Sequence, residues 1–187
     1  MEKTVRDIFA ESIAVKQATL KENVGAIAKA AEAVLTAFKG GHKIFFFGNG
    51  GSAADSQHIA AEFIGRFQKE RKSWPAIALT TDTSILTALG NDYNFDIIFA
   101  RQLEGLGQKG DVVFAISTSG NSKNVLAGVK QARAMGMIII GVTGGTGGAL
   151  ASACDIVIVA ASSKTARIQE THLCVFHAIC EIVENTL

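Results

Sequence analysis

Two apolar stretches of this chain are interrupted by side chains that handle protons and metals. His58 and Glu62 are one helical turn apart and share a face, among the core-like Ile59, Phe63 and Ile64. Near the C-terminus, Gln169, His172 and His177 break a stripe formed by Leu173, Phe176, Ile179 and Ile182 or Val183. Gln169 and His172 are one turn apart, and His177 lies about 80° round the helix from Gln169. Two imidazoles, a carboxylate and an amide carbonyl make a ligand set suited to zinc. A carboxylate and an imidazole across one substrate also make an acid/base pair. Each histidine taken singly fits a hydrogen-bonded structural role as well, and spacing alone does not make the two helices meet.

Two loops are built to approach an anion. Gly48-Asn49-Gly50-Gly51-Ser52-Ala53 follows an apolar run and opens a helix, where backbone N–H groups and the helix dipole favour negative charge. It satisfies the loose pattern G-x-G-x-x-G/A, but no acid stands about twenty residues on; Asp82 is about thirty on, which counts against a nicotinamide cofactor. Ser117-Thr118-Ser119-Gly120-Asn121-Ser122 carries four hydroxyls, and a helix cap uses one. The surplus suits an oxyanion, while ordinary cap and turn chemistry remains the alternative. Neither loop contains Lys or Arg and neither has G-K-[ST], so a single phosphate held by hydroxyls and backbone is expected rather than a nucleotide. A third loop, Gly144-Gly145-Thr146-Gly147-Gly148, is expected to be a flexible turn.

The elements that must position these groups are legible as five β-rich runs: Ile44–Phe47, Ala76–Thr80, Val112–Ile116, Met137–Val142 and Ile156–Ala160. None alternates cleanly, the mark of strands covered on both faces in a parallel sheet. Helical material lies between them in Ser52–Phe67, Thr83–Gly107, Asn121–Met135 and the short Thr146–Cys154. Right-handed crossovers need about a dozen residues, so the expected fold is an open α/β sheet between helices. Ile13, Leu20, Val24, Ile27, Ala31, Val34 and Phe38 predict an amphipathic helix or helix pair over the first 40 residues, ended by Gly40-Gly41. Ile168 to Val183 reads as the last helix. Pro75 precedes the second strand, where its missing N–H does little harm. No linker or repeat divides the 187 residues, which are read as one domain.

Composition narrows the function. With 48% hydrophobic residues and a net charge of +1, the chain can bury a core and is not disordered. Eighteen Lys plus Arg against seventeen Asp plus Glu give no field for a polyanion, and the basic stretch Arg66, Lys69, Arg71, Lys72 is diluted by Glu70, so nucleic acid is not an expected partner. Cys154, Cys174 and Cys180 lack metal or redox spacing and read as reduced thiols of a cytosolic protein. The N-terminal MEKTVRDIFAESIAVKQ has no signal-peptide core, and no apolar run reaches spanning length, so neither export nor membrane is expected.

GNGGSAADSQHIAAEF, AISTSGNS and ARIQETHLCVFH resemble the SIS (sugar isomerase) domain family and, within it, the bacterial phosphoheptose isomerases. The resemblance covers nearly the whole chain, including Gly90-Asn91-Asp92. It implies a five-stranded parallel, flavodoxin-like sheet flanked by helices, a homotetramer in which the N-terminal helical segment packs, and active sites at subunit interfaces. It implies that Ser52, Ser117, Thr118, Ser119 and Ser122 hold the substrate's phosphate and hydroxyls, joined by Asn49, Gly50, Gly51, Glu62, Arg66, Asn91, Asp92 and Gln169. Glu62 and His177 match the base and acid, and with His58 and Gln169 the ligands of one zinc ion per subunit; His172 has no assigned role. The implied reaction converts sedoheptulose 7-phosphate to D-glycero-D-manno-heptose 7-phosphate, supplying the heptose of lipopolysaccharide or other surface glycans. An alternative is a non-enzymatic SIS protein that binds the replication initiator DnaA; that branch lacks the acid and the histidine, both present here as Glu62 and His177. A sugar-phosphate-sensing regulator would ordinarily carry a DNA-binding domain, for which 187 residues leave little room.

Overall fold

The computed structural model describes residues 1–187. Helix α1 (Glu2–Lys39) leads into β1 (Ile44–Gly48), α2 (Gly51–Ile64) and β2 (Ala76–Ala78). Helix α3 (Thr83–Asp92), a 3-10 turn (Phe95–Ile97) and α4 (Ile98–Leu106) follow, then β3 (Val112–Ser117) and α5 (Lys123–Ala134). The chain closes with β4 (Ile138–Gly144), the one-turn α6 (Leu150–Ala153), β5 (Ile156–Ala160) and α7 (Thr165–Thr186).

All five strands pair in parallel in the order β2-β1-β3-β4-β5. This is the flavodoxin order, and it reverses direction between β1 and β3, where open sheets bind ligands beyond their strand C-termini. Every residue of β1 and β3 is buried, which explains their unbroken apolar sequences. Ile44 and Phe46 face the layer of α1, α2 and α7, while Phe45 and Phe47 face α4 and α5. Phe46 stacks on Phe114 at 4.9 Å and meets Phe63 of α2 and Phe176 of α7, both at 6.2 Å. These rings lock together the two helices that carry His58, Glu62 and His177.

One alternative is settled and one expectation changes. Of the helix or helix pair expected over the first 40 residues, the single helix is observed, with no Pro within its 38 residues. The expected helical block 83–107 divides at Tyr93-Asn94, where the Asn94 side chain accepts the Asp96 N–H and restarts the chain as a 3-10 turn.

The outer edge of β5 is covered by side chains of α1. Asn23 donates from Nδ2 to the Val159 carbonyl (3.1 Å) and accepts the Val159 N–H (2.9 Å), and Thr19 Oγ1 accepts the Ala161 N–H (2.9 Å). At the amino end of the sheet, fully buried Asp111 accepts the N–H groups of Lys43 (3.0 Å) and Gln108 (2.9 Å) and pairs with the Lys43 ammonium at 3.0 Å. Asp155 does the same for β4, accepting the Ile139 N–H at 2.8 Å and pairing with Arg133.

Candidate active site

The glycine loop and the hydroxyl loop leave adjacent strands at the switch point, with Gly48 in register with Ile116. A side chain at Gly48 would meet the Ile116 carbonyl at 2.8 Å, so only glycine lets the loops approach this closely. Asn49 and Asn124 join them by exchanging amide hydrogen bonds, each 2.8 Å long. Gly50 precedes α2 with φ +56°. Ser52 is buried in the first turn of α2, and Gly51 presses against Gln169 so closely that a Cβ would fall 2.3 Å from its Nε2.

In the second loop, Ser117 Oγ lies 3.0 Å from Ser122 Oγ and 3.5 Å from Ser119 Oγ. Ser122 stands at the N-cap of α5 but its hydroxyl makes no cap bond. The hydroxyls of Ser117 and Ser122 therefore face each other rather than the backbone, as the surplus in the sequence suggested. Thr118 completes the loop, and Ser119 Oγ accepts the Asn121 N–H at 3.2 Å.

The third loop is not a free turn. A Cβ on Gly120 would lie 2.0 Å from the Gly147 carbonyl, and one on Gly148 would lie 2.5 Å from the Ser119 carbonyl. Leu150 N–H donates to the Gly120 carbonyl (2.9 Å) and Ala149 N–H to Asn121 Oδ1 (3.0 Å). The glycines of 144–148 allow this backbone-to-backbone contact and brace the hydroxyl loop, a role that a turn-rich composition does not announce.

Helices α2 and α7 do meet. His58 Nε2 is 3.0 Å from Glu62 Oε1, and the rings of His58 and His177 cross edge to face at 5.2 Å. Ligand atoms of His58, Glu62 and His177 all lie within 4.8 Å of one another. Tetrahedral zinc ligands stand about 3.4 Å apart at ordinary bond lengths, so nitrogen, oxygen and nitrogen donors at this spacing fit a divalent ion after small side-chain movements. The His58 side chain is 44% exposed and Glu62 22%, leaving the cluster open to a substrate.

Gln169 lies eight residues before His177, about 12 Å back along α7, beside the glycine loop. It thus stands between the loop and the cluster. Asp55, on α2 between Gly51 and His58, has a buried Oδ2 without a partner; burial pushes its carboxyl up and His58 partly offsets this. His172 is buried and donates from Nε2 to the Thr143 carbonyl at 2.9 Å. Burial pushes its pKa down to about 4, so it is a neutral structural imidazole. Cys154 and Cys180 are pushed up to about 12 by burial and are inert thiols, outside the cluster.

Two groups of expected site residues are set apart. Arg66 lies in the turn after α2, fourteen residues beyond Ser52, exposed and 3.6 Å from Glu70; within one chain it does not join the hydroxyl loop. Asn91 and Asp92 end α3, with Asn91 Nδ2 donating to Asp92 Oδ1 at 2.9 Å. The same α3 and the turn after it wall a cavity of about 130 Å³ against Gly48, Asn49 and Gly50 through Leu86 and Phe95. Sequence reading missed Asn124 and Asn121, which tie the loops together, and Arg71 with Glu184, which bind the far end of α2. Asn at a helix start reads as ordinary capping, and Arg71 sits in a run that looks like solvated surface.

No helix is long and apolar enough to cross a membrane. The SIS domain family profile matches residues 8–144. A phosphoheptose isomerase from Roseiflexus sp. (strain RS-1) is 52% identical over 183 residues, covering 98% of this chain and 93% of that protein. The structure of phosphoheptose isomerase from Neisseria gonorrhoeae superposes with a TM-score of 0.94 at 45% identity over 99% of both chains. That of a phosphoheptose isomerase from Francisella tularensis gives 0.95 at 38% identity over 98% of both. With the switch-point loops and the His58–Glu62–His177 cluster in place, this match over the full length leads to one conclusion: the chain belongs to the SIS domain family, in its phosphoheptose isomerase branch.

Proposed function

We propose that this chain is an aldose–ketose isomerase that converts sedoheptulose 7-phosphate to D-glycero-D-manno-heptose 7-phosphate. The observation that carries the reading is the convergence of Glu62 and His177 from two separate helices, on the chain that also carries a pair of loops suited to one phosphate. In the reaction a proton leaves C1 of the ketose, charge rests on the C2 oxygen, and a proton arrives at C2. Glu62 takes the C1 proton to give an enediol, and His177 exchanges protons at the oxygens or at C2. Ser52, Ser117, Thr118, Ser119 and Ser122 hold the phosphate and hydroxyls, with Asn49, Gly50, Gly51, Asn91, Asp92 and Gln169 orienting the sugar.

His58, Glu62, Gln169 and His177 would hold one zinc ion per subunit, which when bound supplies Lewis-acid polarisation of the sugar oxygens. The donor chemistry of the cluster supports this; Gln169 would have to reach toward it from the glycine-loop side. The acid/base and ligand roles compete, because a carboxylate on a metal is a weaker base and a ligated imidazole nitrogen carries no proton.

We further infer a homotetramer formed by residues 1–187 as one unit. Support comes from α1, where Val5, Phe9, Ile13, Leu20 and Val24 are each more than half exposed along one stripe, the kind of contiguous apolar surface that marks contact between protein chains. A site completed by a neighbouring copy would also give Arg66 a phosphate to meet. A cytoplasmic location and a role in heptose supply for lipopolysaccharide or surface glycans complete the proposal. Retention of Glu62 and His177 in one cluster argues against the initiator-binding alternative.

The test is isomerisation in heavy water without added nicotinamide cofactor. Deuterium at carbon in the heptose product is expected. Turnover with no label at carbon would favour hydride shift or a shielded transfer, and absence of turnover would reject the isomerase.

A further inference from the structure

The last turn of α2 is held by a clasp of two buried charges. Helix C-termini leave their final carbonyls without partners, and α2 ends at Ile64 immediately after Glu62 and Phe63. The Arg71 guanidinium covers these groups: Nη2 donates to the Glu62 carbonyl at 2.7 Å, and Nη1 donates to the Phe63 carbonyl at 3.0 Å and the Gly65 carbonyl at 3.3 Å. Its Nε pairs with Glu184 of α7 at 3.1 Å, and its face stacks on Trp74 at 3.7 Å. Glu184 in turn accepts three successive N–H groups, Phe67 (3.1 Å), Gln68 (2.7 Å) and Lys69 (2.9 Å). Burial alone would push the Glu184 carboxyl up, but these N–H groups and Arg71 hold it below the usual carboxylate range. The turn pinned in this way carries Phe67, whose ring lies 5.5 Å from that of His177.

We propose that Arg71 and Glu184 are positioning residues for the His58–Glu62–His177 cluster. The inference rests on the metal-assisted isomerase reading and adds to it two residues that touch neither metal nor substrate. Two connections carry the effect. Arg71 fixes the backbone of Glu62 itself, at the end of α2 where an uncapped helix frays, and Glu184 seats the Phe67 ring against His177. The fork is needed, because one planar guanidinium serves Glu184 and the carbonyls at once, and a lysine ammonium lacks that geometry. The hydroxyl loop lies beyond the other end of α2, so loss of the clasp should loosen the cluster while leaving phosphate recognition in place.

The experiment compares Arg71→Lys, Glu184→Gln and Phe67→Leu with the wild type. Zinc affinity of the metal-depleted proteins is measured by competition with a chromophoric chelator, well below each melting temperature, alongside kcat and KM for sedoheptulose 7-phosphate. Arg71→Lys and Glu184→Gln are expected to bind zinc roughly tenfold or more weakly and to lose kcat by a similar factor, with KM within about twofold. Phe67→Leu, which leaves both charges in place and keeps the variant set informative should Glu184→Gln fail to fold, is expected to weaken zinc about threefold. Folded variants with lowered melting temperature but wild-type zinc affinity and kcat would overturn the inference and make the clasp purely structural. A wild type that binds no zinc would instead overturn the metal reading, and this inference with it.

Discussion

The two ends of the sheet use polar side chains in opposite ways. At the amino end, Asp111 and Asp155 have their oxygens filled by backbone N–H groups and by Lys43 and Arg133, and both serve to hold strands. At the carboxyl end, the hydroxyls of Ser117, Ser119 and Ser122 mainly face one another and Asp55 keeps a buried oxygen without a partner, while farther along α2 His58 and Glu62 stay open to solvent. Carboxylates saturated by the fold have nothing left for a ligand, whereas groups with spare bonding capacity are a standing cost to the apo protein that a ligand can remove. Strand anchoring and the loops suited to an anion are thereby assigned to opposite ends of the same strands.

The sharpest way to break this division is at the amino end. Asp111→Ala would strand two buried N–H groups and the Lys43 ammonium, and should cost about 3–5 kcal/mol of unfolding free energy in denaturant titration. The molecules that remain folded should keep wild-type kcat; a selective loss of kcat would refute the division. Among the groups with spare bonding capacity, Glu62→Gln retains shape and should leave the melting temperature nearly unchanged while lowering turnover by roughly a hundredfold or more. Full activity in that variant would remove Glu62 as the base.

His172 fits neither group cleanly: its Nε2 bonds the carboxyl end of β4, while its buried Nδ1 has no partner. Its folded pKa of about 4 lies below that of an unfolded histidine, so the unfolded chain binds the extra proton. Stability from this group is complete above about pH 6.5 and is lost as pH falls toward 4, by about 3 kcal/mol. His172→Gln keeps a donor for Thr143 and should flatten that part of the stability–pH curve; an unchanged slope would show that other groups set it. The smallest expected effect is Ser119→Ala, for which KM should rise roughly fivefold with kcat nearly constant, because phosphate contacts persist in ground and transition states. An unchanged KM would return the hydroxyl loop to a structural role.

Much of this was readable from the sequence because the information was local. Ile44–Phe47 and Val112–Ile116 are continuous apolar runs because both sheet faces are covered, and the hydroxyl surplus at 117–122 is a compositional fact. Residue types at 58, 62 and 177 announced proton or metal chemistry, but their meeting depends on Phe46, Phe63 and Phe176 packing across α2, β1 and α7, which no spacing rule contains. Arg71 and Glu184 were unreadable for a related reason. They lie 113 residues apart, and a buried ion pair between distant segments has the same letters as a solvated one. The break at Tyr93-Asn94 turned on one Asn side chain accepting a backbone N–H, a choice that propensity leaves open.

The contacts of Thr19 and Asn23 with β5 have a consequence for how copies of this chain can associate. An open strand edge is a template on which another polypeptide can add itself by main-chain pairing. Here a helix imitates the missing neighbour: one amide supplies the donor and acceptor that a sixth strand would bring to Val159, and a hydroxyl takes the next N–H. The opposite border, β2, is only three residues long and is entered through Pro75. With both borders closed to growth, assembly is steered away from continuous sheets and toward side-chain packing between helices. Substituting Asn23 would therefore threaten more than a pair of hydrogen bonds, since it would unmask the one long border along which the protein could polymerise.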